Sequence, residues 1–155
     1  MNSFNWLHLT DLHYGLSGQP VLWPNVRERF FSDLARQHEL CGPWHAVLFT
    51  GDLVQSGQKH EFDELDASVL SPLREELHKL GSERAVLLAV PGNHDLLRPD
   101  SKKPTATPRQ LLRKDGFHEI AEEFGNDAAC EYRQVINGAL ANYVSGGREH
   151  LFEGV

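Results

Sequence analysis

Three short apolar runs, each passing directly into a cluster of polar turn residues, limit what this chain can fold into. Phe4 to Thr10 leads into Asp11-Leu12-His13-Tyr14-Gly15, Ala46 to Phe49 into Thr50-Gly51-Asp52, and Ala85 to Val90 into Pro91-Gly92-Asn93-His94-Asp95. Runs this short and this continuously apolar read as buried strands. The first carries Phe4, Trp6, Leu7 and Leu9 on both faces, as expected of a strand covered on both sides.

Helical spacing fills the gaps between the strands. After a loop from Pro20 to Pro24, Asn25 with Glu28 three residues on marks a helix start, and Val26, Phe30, Phe31, Leu34 and Ala35 continue it to about Leu40. Gly42-Pro43 then breaks the chain. Phe62, Leu65, Val69, Leu73, Leu77 and Leu80 recur at steps of three and four before Gly81. Pro72 should kink or restart that helix, with Ser71 as its cap. Strand, helix, strand, helix, strand predicts an α/β fold built on a parallel βαβαβ sheet with right-handed crossovers. Ligands bind such sheets beyond the carboxyl ends of the strands, where all three polar clusters fall.

The character changes after Asp95. Arg98 to Thr107 is a proline-rich loop, Thr107 to Gly116 and Phe117 to Phe124 predict two short helices, and Tyr132 to Tyr143 a longer one. The longer helix could be a lid, a docking surface or simply core. From Leu97 to Asp115 six basic residues face two acids, a local +4 in a chain of net charge −7. A solvated loop is the simpler account of them; a rim attracting a polyanion is the functional one. Arg98 stands nearest the polar clusters and is the candidate substrate contact.

At 155 residues and 40% hydrophobic content, the chain suits one domain or part of one. No run approaches the ~18 apolar residues of a membrane span, and Met1 to Trp6 lacks signal-peptide features. Both point to a cytoplasmic protein without membrane attachment. Cys41 and Cys130 are too far apart in sequence for a zinc knuckle and are expected to be buried free thiols. The negative net charge disfavours a general nucleic-acid binder.

Asp11, His13, Asp52, Asn93 and His94 offer carboxylate, imidazole and amide donors. That mixture suits manganese, iron, cobalt, nickel or zinc better than it suits a thiolate zinc site. Asp11 and His13 leave the same strand and can reach one ion, while the two oxygens of Asp52 can bridge two. Each residue alone is an ordinary turn residue. Together they make a metal site.

The set resembles the signature of the calcineurin-like metallophosphoesterases. D-x-H, G-D and G-N-H-[D/E] stand here as Asp11-Leu12-His13, Gly51-Asp52 and Gly92-Asn93-His94-Asp95. The resemblance implies two divalent metal ions, manganese favoured, with Asp11 and His13 on the first, Asp52 bridging and Asn93 on the second. It makes His94 the catalytic histidine and Asp95 the group that holds its tautomer. It also implies a four-layer αββα sandwich, with residues 1–98 as its first half and 99–155 as a helical insertion or cap.

The family's later lone histidine and G-H-x-H pair have no counterpart, since Gly116-Phe117-His118 and Glu149-His150 match neither. The resemblance therefore covers roughly residues 4 to 98, and the chain is expected either to be the N-terminal region of a larger protein or to hold an incomplete site. Protein phosphatases of the family carry G-D-x-x-D-R, whereas Leu53-Val54-Gln55-Ser56 follows Asp52 here. That counts against a Ser/Thr protein phosphatase and leaves phosphodiesterases, nucleases and small-molecule phosphatases open. The expected function is binuclear-metal phosphodiester hydrolysis; a DNA or RNA nuclease and a non-catalytic sensor or docking module are the alternatives.

Overall fold

The computed structural model describes residues 3–98 and 130–146. Strands β1 (Trp6–Leu9), β2 (Ala46–Thr50) and β3 (Val86–Val90) form one parallel sheet in the order β1-β2-β3. The register sets Leu7 beside Val47 and Leu87, and Leu9 beside Phe49 and Ala89. Because side chains alternate along a strand, these residues share one face. That face meets Leu34 of helix α1 (Gln19–Cys41) and Phe62, Leu65, Leu73 and Leu77 of the second crossover in one core. This is the expected α/β architecture.

The expectation that β1 is covered on both sides is met on one side only. On the opposite face Trp6, Val86, Leu88 and Val90 are 43–56% exposed. Both crossovers pack on the same face, and no second sheet lies among the described residues.

Helix α1 begins at Gln19, six residues before the Asn25 start read from the sequence, and the expected Pro20–Pro24 loop is helical. Pro20 sits in the first turn, where its missing N–H is no loss. Pro24 lies inside the helix, a position that costs about 3 kcal/mol in isolation. A tertiary tether opposes that cost: the Trp23 indole N–H donates to the Ser68 carbonyl at 3.0 Å, and Trp23 packs on the core.

The second crossover restarts at Pro72, as expected. Helix α2 (Lys59–Leu65) passes through one π-helical turn, Asp66–Leu70, into α3 (Ser71–Lys79). Pro72 has no N–H to give to the carbonyl four residues back, which is that of Ser68. The orphaned oxygen is the one that Trp23 fills. Ser71 does not cap α3; its hydroxyl donates to the Asp66 carboxylate at 3.1 Å, beside the Arg74 guanidinium at the same distance.

Helix α4 (Glu131–Gly146) packs on the core, its Tyr143 ring edge-on to Phe62 at 6.2 Å. Asn142 Nδ2 donates to the Gly57 carbonyl and Leu97 N–H to the Ala139 carbonyl, each at 2.8 Å. These bonds tie α4 to the loops after β2 and β3. Cys130 is buried as expected, but Cys41 is exposed, because the last turn of α1 runs past the core. No helix among the described residues is long and apolar enough to cross a membrane. The two short helices expected after Thr107, the basic segment beyond Arg98, His118 and His150 lie outside the described residues.

Candidate metal centre

The loops after β1 and β2 continue the ladder beyond the strands. Asp11 N–H donates to the Gly51 carbonyl (3.2 Å), His13 N–H to Asp52 (2.8 Å), Tyr14 N–H to Leu53 (2.9 Å) and Gln55 N–H to Tyr14 (2.9 Å). Within this double loop Asp11, His13 and Asp52 take φ of 55°, 45° and 53°, the only positive values for non-glycine residues among those described. Each such residue costs on the order of 1–2 kcal/mol. The paired backbones hold them there, so strain and candidate donors coincide.

The third loop is pressed against the second. A Cβ on Gly92 would collide with the Asp52 carboxylate and backbone nitrogen, and one on Gly51 would stand 3.0 Å from the Gly92 Cα. Gly51 itself has φ 108°, which a side chain would disfavour. Both motif glycines are therefore steric requirements of the site. His94 N–H donates to Asp52 Oδ1 at 2.9 Å, which fixes one oxygen of that carboxylate.

Asp95 is fully buried. Its Oδ2 accepts the Gly92 N–H at 2.8 Å and its Oδ1 the Val54 N–H at 2.9 Å, with a further backbone bond from Leu53. It clamps the third loop to the second. Burial pushes its carboxyl above the usual range, and the negative charge of Asp52 adds to that; the N–H bonds pull the other way.

The His94 ring is oriented by another group. Its Nδ1 lies 2.8 Å from the Gln55 carbonyl, which can only accept, so Nδ1 carries the proton and Nε2 is left as the free donor atom. The tautomer role expected of Asp95 thus belongs to a backbone oxygen, and Asp95 acts on the loop instead.

His13 and His94 meet edge to face, ring centroids 4.6 Å apart. His13 Nε2 lies 3.7 Å from Asp11 Oδ1 and 3.9 Å from Asp52 Oδ2, too long for hydrogen bonds. One donor atom each of His13, Asp52 and His94 falls within 4.8 Å of the others. Two ligands of a common ion, each about 2.0–2.2 Å from it, stand up to about 4.4 Å apart. The 3.9 Å between His13 Nε2 and Asp52 Oδ2 lies inside that limit, so a divalent cation fits between these two atoms with the His94 donor atom close by.

Not every expected residue joins that cluster. Asp11 stands at its rim with its side chain 63% exposed, its Oδ2 accepting the Thr10 hydroxyl at 2.7 Å. Asn93 is exposed and lines a cavity between the third loop and α4. Arg98 is exposed at the end of that loop. His8 pairs its Nε2 with the Thr50 hydroxyl at 2.7 Å.

Two groups escaped sequence reasoning. The Gln55 carbonyl is backbone and leaves no residue-type signal. Glu61, 5% exposed, accepts from Ser56 N–H, Ser56 Oγ and Gln58 N–H at 3.1, 2.8 and 2.9 Å, holding the loop that presents that carbonyl. Its signal was available, because Gln58 and Glu61 stand at capping-box spacing.

The chain belongs to the calcineurin-like phosphoesterase family, whose model matches residues 4–149. The match continues well past residue 98, where the recognisable motifs end. No curated protein matches the chain. Family membership and the His13-Asp52-His94 cluster together define a metal-dependent phosphoester hydrolase fold with a candidate metal site.

Proposed function

We propose that the protein is a binuclear, divalent-metal-dependent phosphodiesterase. The observation that carries this is the convergence of His13, Asp52 and His94 at the carboxyl edge of a parallel sheet, with His13 and Asp52 held in left-handed backbone conformations. Asp11 and His13 would hold one ion and Asn93, through its amide oxygen, the second, with Asp52 shared between them and manganese favoured. A pair of divalent ions held there would supply an activated water and positive charge for the phosphoryl oxygens.

The chain's own residues do the rest. With Nδ1–H held on Gln55, proton exchange at His94 runs through Nε2, which would take up a proton to form the imidazolium and then give it to the leaving ester oxygen, returning the ring to its Nδ1–H form. Asp95 keeps the third loop, and so His94, in register with Asp52. The neutral Asn93, in place of a further carboxylate, favours an anionic phosphate, and Arg98 adds positive charge at the rim. Gln55 and Ser56 stand where the family's protein phosphatases carry the Asp-Arg pair of G-D-x-x-D-R, and the lack of that pair counts against a phosphoprotein substrate.

One observation favours a non-catalytic metal-binding module. The Nδ1 of His13 is buried and has no partner among the described residues, whereas ligating histidines ordinarily anchor that nitrogen. A manganese-dependent assay separates the two readings, comparing bis-p-nitrophenyl phosphate, p-nitrophenyl phosphate and single-stranded DNA. Preferred turnover of the first, reduced about 100-fold or more in His94→Ala, is the expected result. No turnover, or equal turnover by the variant, supports the module; preference for DNA supports a nuclease.

A further inference from the structure

The cavity beside the third loop shares only Asn93 with the chemistry just proposed. It is a cleft open to solvent of about 410 Å³, with Pro91, Leu96, Ile136, Ala139 and Leu140 as walls and Gly92 and Asn93 completing the lining. Small-molecule sites typically span about 300–1,000 Å³, so one aromatic ring fits with room to spare. None of its lining residues is ionisable. Its wall on α4 is fixed to the third loop by the Leu97 to Ala139 backbone bond at 2.8 Å.

Position gives the cavity its meaning. Gly92 lies against Gly51 and Asp52, and His94, next to Asn93, donates its N–H to the Asp52 carboxylate. Gly92 and Asn93 therefore belong to both the donor cluster's loop and the cavity. A phosphoryl group held at Asp52 and His94 would have its ester substituent beside this apolar space. A polyol or charged substituent would leave polar atoms unpaired against the five apolar walls, which is costly. A rigid ring buries apolar surface and loses little freedom.

We infer that this cavity is the subsite for an aromatic group esterified to the substrate phosphate. The inference rests on the phosphoesterase reading and deepens it by naming the substrate class.

Two phosphonates test it without turnover. Titration calorimetry on the manganese-loaded protein should show phenylphosphonate binding about tenfold or more tightly than methylphosphonate, a gain set by the buried ring. Ala139→Phe, which fills the cavity, should abolish that preference and leave methylphosphonate affinity unchanged. Ile136→Asp, at a residue 39% exposed and tolerant of charge, should do the same without relying on a refilled space. Equal affinities in the unaltered protein, or a phenyl preference that survives both substitutions, overturns the subsite while leaving phosphate binding intact. Failure of both phosphonates to bind overturns the phosphoesterase reading, and the subsite with it.

Discussion

Asp95 and Tyr143 are the two residues whose burial has consequences that can be measured separately from catalysis. Asp95→Asn keeps the shape but turns an amide N–H₂ toward a backbone N–H that now donates to a carboxylate. Leaving that donor unpaired should lower stability by about 1–3 kcal/mol, read from urea unfolding of the metal-free protein. The pH dependence follows from the raised folded-state pKa: the folded chain holds this proton more tightly than the unfolded one. Its contribution is greatest below the ordinary carboxylate range and is lost as pH rises through the raised value. The asparagine variant should lack that decline. Tyr143 behaves differently. Burial, then the nearby Asp95 charge, pushes its phenol up to about 12, and its hydroxyl has no partner among the described residues. Tyr143→Phe should therefore match or exceed the parent's stability by up to about 1–2 kcal/mol. It should also abolish the stability loss expected as pH rises from about 10, the free phenol value, to about 12.

At the scale of elements, the Trp23 to Ser68 bond couples the two crossovers, and it exists because Pro72 leaves that carbonyl free. Trp23→Phe should cost about 1 kcal/mol beyond its packing change. In a Pro72→Ala background, where Ser68 can regain a helical partner, that extra cost should vanish in a double-mutant cycle. A penalty unchanged by Pro72→Ala would mean the indole N–H matters only through packing. The same pair marks where the sequence was legible and where it was not. The strand runs and the restart at Pro72 could be read locally, because apolar continuity and a missing N–H act within a few residues. The early start of α1 could not, since Pro20 and Pro24 signal a loop and only a contact 45 residues away makes the turn helical. Likewise the three motifs marked the site, but the groups that orient His94 and clamp its loop are backbone atoms brought in from Leu53 to Gln55.

Over the whole molecule, one face of the sheet carries the core and the carboxyl edge carries the candidate site. The strands' two-sided apolar character was visible in the sequence, yet Trp6, Val86, Leu88 and Val90 remain largely exposed. A strand's composition shows which faces are apolar without showing what covers them. At the carboxyl edge, His13, Asp52 and His94 come together, with Asp11 at the rim, from loops separated by some 80 residues of chain, and the left-handed backbone at Asp11, His13 and Asp52 is tolerated only because the loops pair. Such convergence of acceptors, in a chain of net charge −7, calls for a cation. Titrating manganese into the metal-free protein by calorimetry tests this most directly. The account predicts saturable binding that Asp52→Ala weakens by about 100-fold or more while the fold persists. Absence of manganese binding by the unaltered protein, or equal affinity in the Asp52→Ala variant, would contradict it.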